Sequence, residues 1–279
     1  GRMKSKQVLP VMTNELAERI DDVNVAYTIS RVNSIGEEPG NPSGAGVQKF
    51  GSSIALKVRA LPFIPWMNAV LKFGPEDVSQ FQEILSFFED DHIEPSFWIS
   101  PFNFDEEMAA TLAESGFFPA HFEQATLYGV PEDVEPEPAD DVTVELATAD
   151  TLEDHLLAFL EGFGFPEKYW EGARRNMRQW LGREGFHLYL ARFEGEPAGA
   201  STLFVKDGIG LLASGSVRPA MRGKGCHSAM IQQRLFDSGR LGCELVAGGA
   251  YFGTTSFRNQ QKAGLRNAFL QTTWKRKRG

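Results

Sequence analysis

The 279-residue chain has only two cysteines, Cys226 and Cys243, and its five histidines form no H-x-x-x-H pair. So few thiols exclude a disulfide framework, and without paired His or Cys spacing the sequence offers no metal centre. A reduced, cytoplasmic setting is the expectation. No apolar run approaches the ~18 residues that cross a bilayer, and no signal-peptide pattern is present, so no membrane partner is expected. Positive charge is also scarce: 28 Lys and Arg stand against 37 Asp and Glu, a net charge of −9. That balance disfavours nucleic acid as a partner and suits a cationic substrate such as an amine. What the chain does have is apolar bulk. At 42% hydrophobic residues it fills one large or two ordinary cores, as a monomer or a homodimer.

The chain divides at Pro131-Glu132-Asp133-Val134-Glu135-Pro136-Glu137-Pro138-Ala139-Asp140-Asp141, a run of prolines and acids with almost nothing to bury. It reads as an extended linker between domains at 1–130 and 142–279. The second half is expected to run as strand 142–146, helix 151–163, helix 167–181, strand 187–192 and strand 198–205. A turn at Lys206-Asp207-Gly208 then leads into a strand over Leu211–Val217.

After that strand comes the most informative stretch, Arg222-Gly223-Lys224-Gly225-Cys226-His227-Ser228, followed by a helix from Ser228 to about Ser238. Two glycines let the backbone turn sharply and approach a ligand without Cβ atoms in the way. The helix behind them directs its unpaired N–H groups and dipole at the same point, the arrangement that holds a phosphate or pyrophosphate. Arg218, Arg222 and Lys224 add positive charge. A Walker loop needs four residues between its glycines, and a dinucleotide fingerprint needs a third glycine where Ser228 stands. An ordinary tight turn is the plain alternative.

Arg222 to Cys226 resemble the acetyl-coenzyme A loop of the GCN5-related N-acetyltransferase (GNAT) superfamily, Q/R-x-x-G-x-G/A. His227 departs from it, standing where glycine or alanine is usual. A strand over 243–247, a loop over 248–255 and a helix from Ser256 to Gly264-Leu265 match the family's next elements, with Ser256 as the expected N-cap. The resemblance covers roughly residues 142–275. It implies an α+β fold of two mixed, mostly antiparallel sheets flanked by helices. Acetyl-coenzyme A is the implied co-substrate, with no metal. Ser216, Val217, Arg222, Gly223, Lys224, Gly225, Cys226, His227, Ser228 and Asn259 are the implied cofactor contacts. Cys226 sits at an aliphatic position, so packing is its expected job. Arg174, Arg175, Arg178 and Arg183 lie along one helical stretch and read as a solvated face; reach to the cofactor's outer phosphates is the alternative.

The same order of elements occurs earlier. A strand at 95–100, a helix at 105–115, Gly116-Phe117 and a strand ending at Tyr128 mirror the end of the chain, which suggests a duplication. A helix over 14–30 and a loop over 36–46 precede this copy. Where it would need its phosphate loop it has Lys72-Phe73-Gly74-Pro75-Glu76-Asp77. Proline lacks an N–H, and two carboxylates repel pyrophosphate, so the first copy reads as degenerate.

Catalytic residues are less evident. The family often places a glutamate on the strand before the loop and a tyrosine on the later helix. Here Leu211–Val217 carries no carboxylate, and Gln260 stands at the tyrosine position. Tyr251 and Ser256 are the substitute acids, Glu184 and His187 the bases suggested by a nearby sheet edge. The basic end, Lys275-Arg276-Lys277-Arg278, reads as solvated. Two function classes stay open: an N-acyltransferase acting on a small-molecule or peptide amine, and a catalytically silent coenzyme A-binding module.

Overall fold

The structure, a computed structural model, describes residues 8–137, 139 and 141–277. In chain order the first elements are α1 (Asn14–Gly36), β1 (Ala45–Phe50), β2 (Ser53–Val58), β3 (Ala69–Leu71), α2 (Phe81–Glu89), β4 (Ser96–Ile99), α3 (Glu106–Glu114) and β5 (Phe117–Gly129). Then follow β6 (Val142–Leu146), α4 (Leu152–Gly162), α5 (Trp170–Arg178), β7 (Phe186–Phe193), β8 (Glu196–Lys206) and β9 (Ile209–Val217). The chain closes with α6 (Cys226–Arg240), β10 (Leu245–Tyr251), α7 (Thr255–Lys262) and β11 (Arg266–Arg276).

These elements form two compact units. One contains Met12–Thr126 and the chain from Ala268 onward; the other contains Leu127–Asn267 with residues 8–11. This differs from the linear division at 131–141, because β5 ends in the second unit while most of β11 belongs to the first. In the first unit β1, β2 and β3 pair antiparallel, β3 and β4 parallel, and β11 lies antiparallel on β4 with Thr273 opposite Trp98. In the second, β6, β7, β8 and β9 pair antiparallel, and β9 and β10 parallel. Three antiparallel strands, a helix and a parallel fourth strand therefore occur twice. Each mixed sheet is flanked by helices.

Several boundaries move for physical reasons. Thr13 Oγ1 caps α1 by accepting the Leu16 N–H at 3.1 Å. The sequence reading ends this helix at Ser30. It continues to Gly36 because Val25, Val32 and Ile35 keep the helical spacing and bury against Leu56, Val58 and Leu71. On the other face of that sheet Phe73, Phe81, Phe97 and Phe117 pack ring against ring, with centroids 5.1 to 6.2 Å apart. The expected helix over 167–181 is a short 3-10 turn followed by α5, which ends at Arg178. The acidic run after β5 is not a free tether: the Glu132 N–H donates to the Leu235 carbonyl on α6 at 3.3 Å. Pro138 and Asp140 of that run lie outside the described residues. Nor is the basic end fully solvated. Arg276 pairs with Glu94 at 2.6 Å and lies over the Phe117 ring; Arg278 lies outside the described residues.

The two copies differ most where the strand leads into its helix. In the first unit Gly74 and Pro75 open a 3-10 turn, and the Asp77 carboxylate folds back over its start. It accepts from the Gly74 N–H (3.2 Å), the Ser52 N–H (3.0 Å) and the Ser53 hydroxyl (2.7 Å), and also from the Ser52 hydroxyl. Asp77 is fully buried, and Gly51 (φ +60°) passes so close that a Cβ there would lie 2.2 Å from its Oδ1. The chain's own carboxylate thus takes the anion's place at this turn. Asp77→Ala leaves three donors without an acceptor, the Ser52 hydroxyl keeping the Lys72 carbonyl at 3.4 Å, at about 1–3 kcal/mol for each one buried. We expect chemical denaturation to show a loss of several kcal/mol; a change below 1 kcal/mol would refute this account.

Candidate acyl-coenzyme A site

The glycine loop of the second unit has no such internal anion. After β9 a 3-10 turn at Pro219–Met221 leads to Gly223 and Gly225, at φ +77° and +88°. Side chains rarely adopt this region, so glycine is required by conformation. No atom lies within 4 Å of a Cβ built at either position, so the space in front of the loop is open. Gly225 is the N-cap of α6 and supplies no capping side chain, and no acid stands in the first turn. The helix begins at Cys226, two residues before the position read from sequence, which brings the N–H groups of Cys226, His227 and Ser228 to its open end. Cys226 is buried beside Met230, Val142 and Ala198, the packing role expected of it.

The surrounding cations are not equally available. Arg218 is bound to Glu161 at 2.5 Å and to the Pro197 carbonyl, so its charge is already compensated, contrary to the sequence reading. Arg222 donates to the Val217 and Gly162 carbonyls, at 3.3 and 3.2 Å. Lys224 lies over the Phe193 ring at 5.5 Å. Neither contact neutralises a charge. Arg174 and Arg178 bind Glu153, and Arg175 binds Glu171, as a solvated helix face does.

Beside this helix end the sheet opens. β9 and β10 pair from Leu245 opposite Ile209 to Gly248 opposite Leu212, and no further. At the point of separation β9 bulges: Thr202 of β8 faces Ala213 while Ala200 faces Ser216, and Ser214 takes φ +49°. Beyond Leu212 and Gly248 the facing strand edges have lost their ladder. A cavity of about 170 Å³ lies there, lined by Ser214 and Gly215 of β9, Gly249 of β10, His227 and Arg234 of α6, and Ser256 and Gln260 of α7, among others.

Polar groups are tightly arranged in and behind its wall. The Asn259 side-chain N–H donates to His227 Nδ1 at 3.2 Å. Burial, aided by the nearby Arg234 charge, pushes the His227 pKa down to about 4. Arg234 is itself buried; its Nε donates to the Met230 carbonyl and its Nη1 to the Thr202 and Ala213 carbonyls. Gln260, 5% exposed, donates from Nε2 to the Gly249 carbonyl (3.2 Å) and to Ser256 Oγ (3.3 Å), while its Oε1 takes no hydrogen bond.

The structure brings Arg222–Ser228, Ser256 and Asn259 to the loop and the adjoining cavity. Ser216 is drawn away, its hydroxyl donating to the Phe159 carbonyl at 3.5 Å, and Val217 lies with it under the end of α4. Ser256 is not the N-cap of α7. Thr254 takes that place, accepting the Phe257 N–H, because the strand expected to stop at Ala247 runs on to Tyr251 and the turn follows it. Tyr251 ends that strand 55% exposed and is not part of the cavity lining; neither are Glu184 and His187. Arg234 escaped the sequence reading, although its signal was present: an arginine on the stripe of Met230, Ile231, Leu235 and Ser238 that α6 buries.

No protein-family model matches the sequence, and no curated protein matches it. Among solved structures the chain resembles the GCN5-related N-acetyltransferase from Kribbella flavida, at 16% identity and a TM-score of 0.65, covering 94% of this chain and 96% of that one. It also resembles a GCN5-related N-acetyltransferase from Sphaerobacter thermophilus, at 16% identity and a TM-score of 0.59, over 95% and 93% of the two chains. A tandem GNAT protein from the clavulanic acid biosynthesis pathway matches at 13% identity and a TM-score of 0.60, over 95% and 96%. The chain has a tandem GNAT-like fold.

One buried histidine, His155, and one half-buried, His227, bear on the acid stability of this unit. His155 on α4 donates from Nδ1 to the Tyr189 carbonyl at 2.8 Å, and its Nε2 is buried without a partner. Burial lowers its pKa to about 4, as it does for His227. Between pH 6.5 and 4 the unfolded chain therefore binds more protons than the folded one, and stability falls as pH falls through this window. For fully buried His155 the loss is on the order of 3 kcal/mol, at about 1.4 kcal/mol per unit. Asp21 of the other unit, raised to about 6 chiefly by burial, runs the opposite way between 3.8 and 6. Urea unfolding at pH 7 and pH 5 should show wild type losing more stability than His155→Gln. Equal losses would contradict a buried neutral His155.

Proposed function

We propose that the second unit binds acetyl-coenzyme A and passes its acetyl group to a primary amine of a small molecule or peptide, by direct attack in a ternary complex. The observation that carries this reading is the uncapped, glycine-led start of α6 beside the point where β9 and β10 part. Anions bind at such helix starts because backbone N–H groups and the helix dipole converge there. The N–H groups of Cys226, His227 and Ser228, with the charges of Arg222 and Lys224, hold the phosphates. The gap beside β9, where its ladder with β10 has ended, takes the thiol-bearing arm. Acetyl-coenzyme A supplies the activated thioester; the chain supplies position, polarisation and exclusion of water. The net charge of −9 favours a cationic acceptor.

None of the residues lining the cavity is a carboxylate. The proton released by the attacking amine therefore leaves through water, and the rate follows the neutral fraction of the amine, rising with pH. The same observation, together with Gln260 at the family's tyrosine position, favours a second reading: a coenzyme A-binding module without turnover.

Coenzyme A at 100 times its dissociation constant should stabilise the protein by about 2.7 kcal/mol, visible as a rise in melting temperature. Gly225→Glu, which adds a side chain and a negative charge at the loop, should abolish that rise. Retained binding in this variant would remove the loop from the site. Thiol release against polyamines, amino acids, aminoglycosides and peptides separates the readings: binding with no acceptor-dependent release favours the silent module.

A further inference from the structure

The cavity beside β9 presents hydrogen-bond donors, and one of them, His227, stands where the resemblance leads one to expect glycine or alanine. Asn259 donates to His227 Nδ1, so the imidazole proton sits on Nε2. That edge of the ring faces Gly215 at the β9 bulge: a Cβ there would lie 3.5 Å from Nε2, so glycine keeps the space in front of it open. Ser256 lines the same cavity and accepts from Gln260 Nε2, which leaves its own hydroxyl proton to donate. Two neutral donors, one from α6 and one from α7, thus border one small cavity, with the buried Arg234 guanidinium in the same wall.

We infer that His227 Nε2–H is the donor that polarises the acyl carbonyl in this cavity, with the Ser256 hydroxyl as the second donor. This rests on the acyl-transfer reading above and assigns that reading its electrophile. A histidine held neutral suits the role: its N–H is fixed in place and carries no charge to be neutralised by the amine's departing proton. It also accounts for an imidazole at a position where the similar family keeps glycine or alanine.

The test uses the full chain and acetyl-coenzyme A labelled with carbon-13 at the carbonyl. Difference infrared spectra of the bound label should show the carbonyl stretch moved to lower frequency than in water. His227→Leu should return it to the solution value, while His227→Gln, which keeps a side-chain N–H, should retain part of the shift. Ser256→Ala should lose a smaller part. Turnover with an accepted amine should fall about 100-fold in His227→Leu, the scale for losing one such donor, with coenzyme A affinity held within a few-fold. Nitrogen-15 spectra of the ligand-free protein should show Nε2 protonated and Nδ1 bare. An unchanged carbonyl frequency in His227→Leu, or a protonated Nδ1, would overturn the assignment and leave the transferase reading standing. Failure of the wild-type protein to bind acetyl-coenzyme A would overturn that reading, and this inference with it.

Discussion

The parting of β9 from β10 is the constraint on which the site depends. Parallel strands are held by evenly spaced ladder bonds, and these stop at Leu212 and Gly248. The extra residue around Ser214 breaks the register on the β8 side of β9 and turns the strand away. A buried edge that loses its ladder must find partners elsewhere, in side chains, water or a ligand. The chain answers in part by closing one wall with α7, whose Gln260 reaches back to the Gly249 carbonyl. It leaves the rest as a cavity beside the open end of α6. The same geometry thereby delivers exposed strand edges, a helix start and a set of donors to one place.

The two copies show how little separates an anion site from a structural turn. Both have a strand, a 3-10 turn and a helix, followed by a strand parallel to the first. In the first unit a carboxylate three residues after Gly74 satisfies four donors and is buried, so the turn gains stability and gives up any external anion. In the second, two glycines in positive φ keep side chains out, and no acid stands in the first turn after them. The helix start stays unsatisfied by the protein itself, which costs stability in isolation and favours a ligand.

Within the second unit, charge is distributed with the same economy. Arg218 looks in the sequence like a third phosphate ligand, yet it is bound to Glu161, a residue 57 positions away on α4. Arg234, on the buried stripe of α6, is surrounded by carbonyls of β8, β9 and its own helix. His227 is kept neutral by burial and by that arginine together. Arg218 is thus compensated by an internal carboxylate, whereas the contacts of Arg222 are to carbonyls and that of Lys224 is to a ring.

The sequence by itself determined what depends on local rules. The positive-φ glycines at 223 and 225, the helix behind them, the turn at Asp207-Gly208 and the degenerate character of Pro75-Glu76-Asp77 all follow from backbone sterics and from donors and charges a few residues apart. The repeated order of elements was legible for the same reason. Tertiary structure decided what depends on distant partners. Only the fold drew Ser216 under α4, put Thr254 in place of Ser256 as the cap, left Tyr251 outside the cavity and set His227 against Asn259 and Gly215. It also placed the last strand beside β4, a pairing across more than 170 residues. Local periodicity carries no record of such contacts, because they are selected by shape and by unsatisfied hydrogen bonds that exist only once the chain has closed.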